Sequence, residues 1–141
     1  MTNFDIIVIG SGIAGLHFAL RAAEKNNRVL VVTKKNVAES STNFAQGGIA
    51  AVLSPLDDFK KHVRDTLVAG AFHNNKKAVE YTVRHGPEAV MRLLELGVPF
   101  ATKDGKLLLT REGGHSERRI AFVSDYTGLA IERTLVKRLR E

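Results

Sequence analysis

Asp5-Ile6-Ile7-Val8-Ile9-Gly10-Ser11-Gly12-Ile13-Ala14-Gly15 decides how this chain is read. Phe4 to Ile9 is a short, almost continuous apolar run, which predicts a strand buried on both faces. Gly10 stops it. From Ile13 to Lys25, Leu16, Ala19, Leu20 and Ala23 recur at helical spacing and give one apolar face. Asn26 and Asn27 close that helix, and Val29 to Val32 predicts a second, parallel strand. Strand, helix and strand within about 30 residues make a βαβ unit, with the right-handed crossover such units adopt. The junction of strand and helix, Gly10 to Gly15, has the form G-x-G-x-x-G. Six glycine-rich residues alone mean little, but at a strand-to-helix turn they are a dinucleotide fingerprint. Gly10 permits the turn, Gly12 lets a pyrophosphate reach the backbone, and Gly15 lets helix and strand pack closely. The helix N-terminus, with its N–H groups and partial positive charge, faces the phosphates.

One companion of that fingerprint is missing. An acid about 20 residues on, at the end of the second strand, normally accepts from a ribose hydroxyl. Thr33, Lys34 and Lys35 stand there instead. A lysine has no acceptor to offer, which argues against NAD in its usual mode and leaves Lys34 as a contact for an adenosine moiety.

Beyond Val32 the polar segment from Lys34 to Gly48 has no periodicity and reads as an ordered functional loop. Pro55 and Asp57 open a helix with Phe59, Val63 and Leu67 on one side. Asn74 or Asn75 caps another through about Arg84. Gly86-Pro87 then breaks the chain, with Pro87 placed for the first turn of a further helix. Ala89, Val90, Leu93 and Leu94 face inward there, and Gly97 stops that helix. Lys103-Asp104-Gly105-Lys106 is a hairpin signal ahead of Leu107 to Leu109. Thr127 caps a last helix in which Ile131, Leu135 and Leu139 share a face. No internal repeat or linker is visible. The fold class expected is α/β: a Rossmann-like βαβ unit, then a mostly helical segment. No third parallel strand follows Val32, and the last residues read as mid-helix. The expectation is therefore an incomplete doubly wound domain, residues 1–141 forming the first part of something longer.

Composition narrows the function classes. There is no cysteine among the 141 residues, which removes disulfides, thiolate nucleophiles and Cys-based metal sites. The five histidines lack metal-ligand spacing, so no metal is expected. A net charge of +6 without aromatics interleaved among the basic residues does not make a nucleic-acid surface. The opening residues lack a secretory signal and no apolar run approaches the ~20 residues of a membrane span. A cytoplasmic protein is expected.

Two further stretches carry a resemblance. Ser40-Ser41-Thr42-Asn43-Phe44-Ala45-Gln46-Gly47-Gly48-Ile49-Ala50-Ala51 resembles a flavin-contacting loop of the succinate dehydrogenase and fumarate reductase flavoproteins. Leu109-Thr110-Arg111-Glu112-Gly113-Gly114-His115-Ser116-Glu117-Arg118-Arg119-Ile120 is similar to the substrate-side motif of one branch, the L-aspartate oxidases. The resemblance runs from about Asp5 to the last helix, with the motifs in the family's order. It implies a FAD-binding domain whose remainder, with a substrate-capping domain, lies outside this chain. It implies FAD contacts from Ser11, Gly12, Ile13 and Ala14, from Lys34, and from Ser41, Thr42, Asn43, Phe44, Ala45, Gln46, Gly47 and Gly48. A Ser/Thr-Lys pair commonly replaces the acid in this family, which accounts for Thr33-Lys34. The implied reaction is oxidation of L-aspartate to iminoaspartate, the first step towards quinolinate and NAD, with O2 or fumarate as acceptor and quinolinate synthase as pathway partner. Glu112 is the candidate catalytic residue. Aspartate and succinate share two carboxylates, but only aspartate has an ammonium, which a carboxylate attracts. His115, Arg118 and Arg119 are read equally as residues that position the loop or bind carboxylates and as structural ion pairs. A fumarate reductase-type subunit would call for a neutral residue at 112 and a flavin-linking histidine near Ser41 to Gly48, and neither is present. The other alternative is a non-catalytic module that binds FAD weakly or only a partner.

Overall fold

β1 (Ile6–Ile9) and β2 (Val29–Val32) pair in parallel, Ile6 opposite Val29 and Ile9 opposite Val32, with α1 (Ile13–Ala23) crossing between them. The computed structural model describes residues 3–37 and 39–141. Of the polar loop from Lys34 to Gly48, only Ala38 lies outside the described residues. In α1, Leu16, Ala19 and Leu20 are buried as their spacing predicts. The helix closes where Asn26 takes a left-handed φ of 62° and Asn27 Nδ2 donates to the Ala22 carbonyl at 2.9 Å. β1 departs from expectation, being buried on one face only. Val8 is buried, whereas Ile7 is 63% and Ile9 88% exposed. Successive strand residues point to opposite faces, and α1 packs on one of them, so the other face of this two-stranded sheet is open.

A second sheet holds β3 (Ile49–Ala50), β6 (Leu109–Thr110) and β7 (Ile120–Ala121) in the antiparallel order β3-β7-β6. β4 (Thr102–Lys103) and β5 (Lys106–Leu107) form the predicted hairpin. Its turn residues Asp104 and Gly105 have φ of 51° and 73°, the left-handed pair a two-residue hairpin requires.

α2 (Phe59–Ala69) starts at Asp58, whose Oδ1 accepts from the Lys61 N–H at 2.9 Å. The apolar side read from its sequence is not the side it buries most deeply. Phe59, Val63 and Leu67 border a shallow groove shared with Phe72 and with Glu80 and Arg84 of the next helix, while the buried side chain is His62.

α3 (Lys76–Glu95) is a single helix of 20 residues, capped by Asn75, whose Oδ1 accepts from the Ala78 N–H at 3.2 Å. The break predicted at Gly86-Pro87 does not occur. A mid-helix proline forfeits one hydrogen bond and costs ~3 kcal/mol. Val79, Val83, Val90 and Leu93 form one buried stripe across the proline, and burial of each contributes roughly 1.5–3 kcal/mol. The stripe wins. Gly86 lies on it too and lets α3 rest against Ala51, where an added Cβ would sit 3.4 Å from the Ala51 Cβ. Ala89, expected inside, is exposed. Gly97, at φ 96°, ends the helix as predicted, its N–H bonded to the Leu94 carbonyl and that of Val98 to the Leu93 carbonyl.

α4 (Thr127–Arg140) buries Ile131 and Leu135, with Leu139 packed at the edge of the core. Thr127 is its first residue rather than its cap. The Thr127 Oγ1 is turned back to accept from the Val123 N–H at 3.0 Å. The main core joins α1, α3, β7 and α4 through Leu16, Leu20, Val90, Leu93, Ala121 and Leu135. Both candidate loops are therefore held from behind by one packed layer.

Candidate functional site

The fingerprint turn opens onto a cleft of about 610 Å³ lined by Ile9 to Gly12, Val32 to Lys34 and Glu39 to Thr42. Ser11 Oγ, buried, donates to Thr33 Oγ1 at 3.0 Å and ties the turn to the end of β2. Helix α1 follows Gly12, which as N-cap has no side chain to bond the helix end, and its first turn carries no acidic residue. The 3₁₀ turn Ser41–Phe44 folds over this helix end, where Thr42 Oγ1 accepts from the Ile13 N–H at 3.1 Å. Ser40 Oγ accepts in turn from the Thr42 N–H, which fixes the mouth of the cleft.

The three fingerprint glycines have different reasons to be glycine. Gly10 stands at φ 107°. At Gly15 an added Cβ would collide with the Gly10 carbonyl oxygen, so this glycine serves the turn and not a ligand. At Gly12 an added Cβ would meet nothing nearer than Thr42 Oγ1, at 3.7 Å. The protein itself does not need glycine there. The space a side chain would take is open to the cleft, as a site for a pyrophosphate requires.

A second cleft, about 440 Å³, lies at the far end of the same loop and is lined by Gln46, Gly47, Gly48, Thr110, Glu112, Phe122, Ser124 and Asp125. Glu112 faces Gly47 across it: a Cβ on Gly47 would sit 3.7 Å from one carboxylate oxygen of Glu112 and 3.8 Å from the other. Residues 65 apart in sequence are thus brought together. Gly48 lies directly on the Ala121 carbonyl of β7, and Gly128 of α4 on the Thr42 carbonyl, with no room for a Cβ at either. The Gly128 N–H donates to the Ala45 carbonyl at 2.9 Å.

Ser11, Gly12, Lys34, Ser41 and Thr42 share the first cleft, and Gln46, Gly47 and Gly48 join Glu112 in the second. Ile13 and Ala14 form the first turn of α1; Phe44 and Ala45 are exposed on the connection between the clefts, beside Asn43. Arg118 is exposed, but Arg119 is completely buried as an ion pair with Asp57 and Asp65. The sequence reading did not single out Ser124 and Asp125, which line the second cleft; their signal is the Asp125-x-Thr127-Gly128 run that leads into α4. It also missed Glu132, fully buried on α4 with neither carboxylate oxygen bonded among the described residues, which nothing in the sequence separates from its exposed neighbour Arg133. Among the described residues no cluster of three or more His, Asp or Glu forms a metal-ligating group, and no helix is long and apolar enough to cross a membrane.

A glycine-rich turn, a helix N-terminus and a small-residue loop arranged around an open cleft agree with what a family comparison finds. Residues 5–141 match the family described as FAD binding domain. The chain belongs to that FAD-binding family. As a FAD-binding domain it is 51% identical over 135 residues to L-aspartate oxidase 2-b, chloroplastic, of Nicotiana tabacum, covering 95% of this chain and 21% of the relative. It is 45% identical to the L-aspartate oxidase of Acinetobacter baylyi, covering 99% of this chain and 26% of that enzyme. Among solved structures, Sdh1 of Mycobacterium smegmatis superposes with a TM-score of 0.89 at 40% identity, over 96% of this chain and 23% of the other. The FrdA chain of E. coli quinol fumarate reductase gives 0.89 at 31% identity, over 97% and 24%. The domain therefore spans about a fifth to a quarter of the length of these relatives. The shared architecture is the expected one, a Rossmann-like unit with a partial sheet.

Proposed function

We propose that this FAD-binding domain is the dinucleotide-binding portion of an L-aspartate oxidase, which converts L-aspartate to iminoaspartate with O2 or fumarate as electron acceptor. The observation that carries the reading is the Glu112 carboxylate facing Gly47, at the end of the loop that resembles a flavin-contacting loop. Gly12, Ser11 and the first turn of α1 would hold the pyrophosphate, Lys34 the adenosine end, and Ser41 to Gly48 the ribityl chain and ring. FAD held by these residues would supply the hydride-accepting and electron-passing chemistry that the side chains of this chain lack. Glu112 supplies what distinguishes the substrate: a carboxylate placed to pair with the α-ammonium of aspartate, which succinate lacks. The remainder of the FAD domain, a capping domain and the cationic residues for the two substrate carboxylates belong to sequence outside this chain. Quinolinate synthase is the proposed consumer of the product, and the cytoplasm the proposed compartment; some relatives are named as chloroplastic.

The test is Glu112→Gln in the full-length enzyme, with flavin content measured first. Losing a charge-assisted hydrogen bond costs about 1.5–3 kcal/mol, so kcat/KM for aspartate is expected to fall roughly ten- to a hundredfold. Fumarate reduction by the same preparation is expected to survive or improve, because fumarate has no ammonium and is repelled by the native carboxylate. Equal losses in both activities would make Glu112 a structural residue or a general proton carrier. No loss in either would remove the basis for the aspartate assignment.

A further inference from the structure

We propose that Arg119, acting through Asp57, Asp65 and Ser116, is a positioning residue that sets where Glu112 stands relative to the Gln46–Gly48 loop. The inference rests on the reading of Glu112 as the group facing the substrate ammonium, and adds what holds it there.

Arg111 to Ser116 is an exposed excursion between β6 and β7 with little packing of its own; only His115 in it is half-buried. Its internal support is one backbone bond, His115 N–H to the Glu112 carbonyl at 3.3 Å. The His115 ring lies 5.9 Å from that of His62, and Lys61 pairs with Glu117 at 2.8 Å just past the loop; the remaining hydrogen bonds that fix it converge on Arg119. The Arg119 N–H donates to the Thr110 carbonyl at 3.1 Å, closing the neck of the loop just before Arg111. The guanidinium is fully buried. Its Nε and Nη2 donate to the two oxygens of Asp57 at 2.8 and 2.7 Å, and Nη1 donates to Asp65 Oδ2 at 2.6 Å. That same Asp65 oxygen accepts from the Ser116 N–H and from Ser116 Oγ, both at 2.8 Å. One carboxylate oxygen on α2 thus joins the descending arm of the loop to the residue that closes its neck.

Arg119 also anchors the opposite wall of the cleft. Its carbonyl accepts from the Ala51 N–H at 2.9 Å, at the end of the strand that begins with Ile49, immediately after Gly48. Both walls, Glu112 on one and Gly47–Gly48 on the other, are therefore referenced to a single buried residue. A buried guanidinium left unpaired is strongly disfavoured, while one held by two carboxylates and paired bidentately has a single geometry. Such a group transmits position rather than charge: no guanidinium nitrogen is exposed to reach a substrate. The raised pKa of Arg119 accords with this; burial alone would lower it, and the Asp57 and Asp65 carboxylates outweigh that effect.

The experiment compares Asp65→Asn and Ser116→Ala with wild type in the full-length protein. Both leave the bidentate Arg119–Asp57 pair in place, so neither strands a buried charge. In Asp65→Asn the amide oxygen that takes the place of Oδ2 is a neutral acceptor, so the bonds from Ser116 and from Arg119 Nη1 lose their charge assistance. The first readout is amide hydrogen exchange without substrate. Exchange at residues 112–116 is expected to quicken at least tenfold in Asp65→Asn and less in Ser116→Ala, with α1 and the fingerprint turn unchanged. The second is a double-mutant cycle. Asp65→Asn should lower kcat/KM for aspartate roughly tenfold at full flavin content, yet cost less than about twofold in a Glu112→Gln background, as coupled residues do. Unchanged exchange in both variants overturns the clamp. A loosened loop with fully additive kinetic losses overturns the positioning of Glu112 and leaves a merely structural ion pair. If Glu112→Gln alone spares aspartate turnover, the assignment of Glu112 fails, and the exchange result still decides whether Arg119 holds the loop.

Discussion

Gly12→Ala and Gly15→Ala are expected to fail in opposite ways, and the difference is set by what each new Cβ would touch. At Gly12 the backbone sits at φ −70° and ψ 174°, ordinary for an L-residue, and the nearest neighbour of an added Cβ is 3.7 Å away. Alanine there strains nothing, and by restricting the unfolded chain it is worth about 0.4–1 kcal/mol in stability. At Gly15 the Cβ would collide with the Gly10 carbonyl oxygen and lie 3.2 Å from its carbon, both backbone atoms that cannot rotate aside. Overpacking of that kind costs about 1–3 kcal/mol or more. The apo form of the full-length protein should therefore melt at or slightly above the wild-type temperature with Gly12→Ala, and clearly below it with Gly15→Ala. FAD binding orders the pair differently. The Gly12 methyl occupies the space through which a pyrophosphate reaches the backbone, and a loss of at least tenfold in affinity, about 1.4 kcal/mol, is expected. Thermal melts of apoprotein and fluorescence titration with FAD provide the two measurements. Unchanged FAD affinity in Gly12→Ala would refute the placement of the phosphates. A destabilised apo Gly12→Ala would refute the claim that this glycine is there for the ligand alone.

Two other outcomes follow from groups elsewhere in the fold. Burial chiefly, and then the neighbouring charges of Arg119 and His115, hold His62 below the usual histidine pKa, and its Nδ1 is buried with no hydrogen-bond partner among the described residues. A depressed folded pKa means that the unfolded chain protonates first. Stability should thus be constant above about pH 6.5 and fall as pH drops from there through the folded value. His62→Phe should flatten that window in thermal melts between about pH 7.5 and pH 5, and an unaltered slope would place the titrating group elsewhere. Asn75→Ala removes the cap of α3 and should cost about 1 kcal/mol, seen as a lower urea midpoint at unchanged slope.

The first fifth of the chain was legible because its signals are local. The βαβ unit follows from one apolar run, one helical period and one glycine pattern, all within Phe4 to Val32. Gly97 and the Asp104-Gly105 turn are equally self-contained. What was not legible depends on partners distant in sequence. Pro87 reads as a break, since nothing around it reveals that Val79, Val83, Val90 and Leu93 will all find a core. Phe59, Val63 and Leu67 read as one apolar side of a helix, and nothing local reveals that α2 buries His62 instead. Arg118 and Arg119 are indistinguishable in sequence, yet one is exposed and the other fully buried. In the candidate site, the motifs named loops that the structure places along two clefts. Their meeting, with Glu112 opposite Gly47, required the β3-β7-β6 sheet.

The tight crossings at Gly48 and Gly128 bear on how domains of this kind change over evolutionary time. Each glycine rests on another segment's backbone, at Ala121 and at Thr42, and is required whether or not a ligand is present. A descendant relieved of its chemistry would keep both for as long as it remained folded. Positions facing only open space, Lys34 among them, would drift first. Such a descendant would keep its outline and still match relatives by shape long after it had stopped being yellow. In this architecture, then, glycine at the crossings reports ancestry, and the residues lining the empty space report current use.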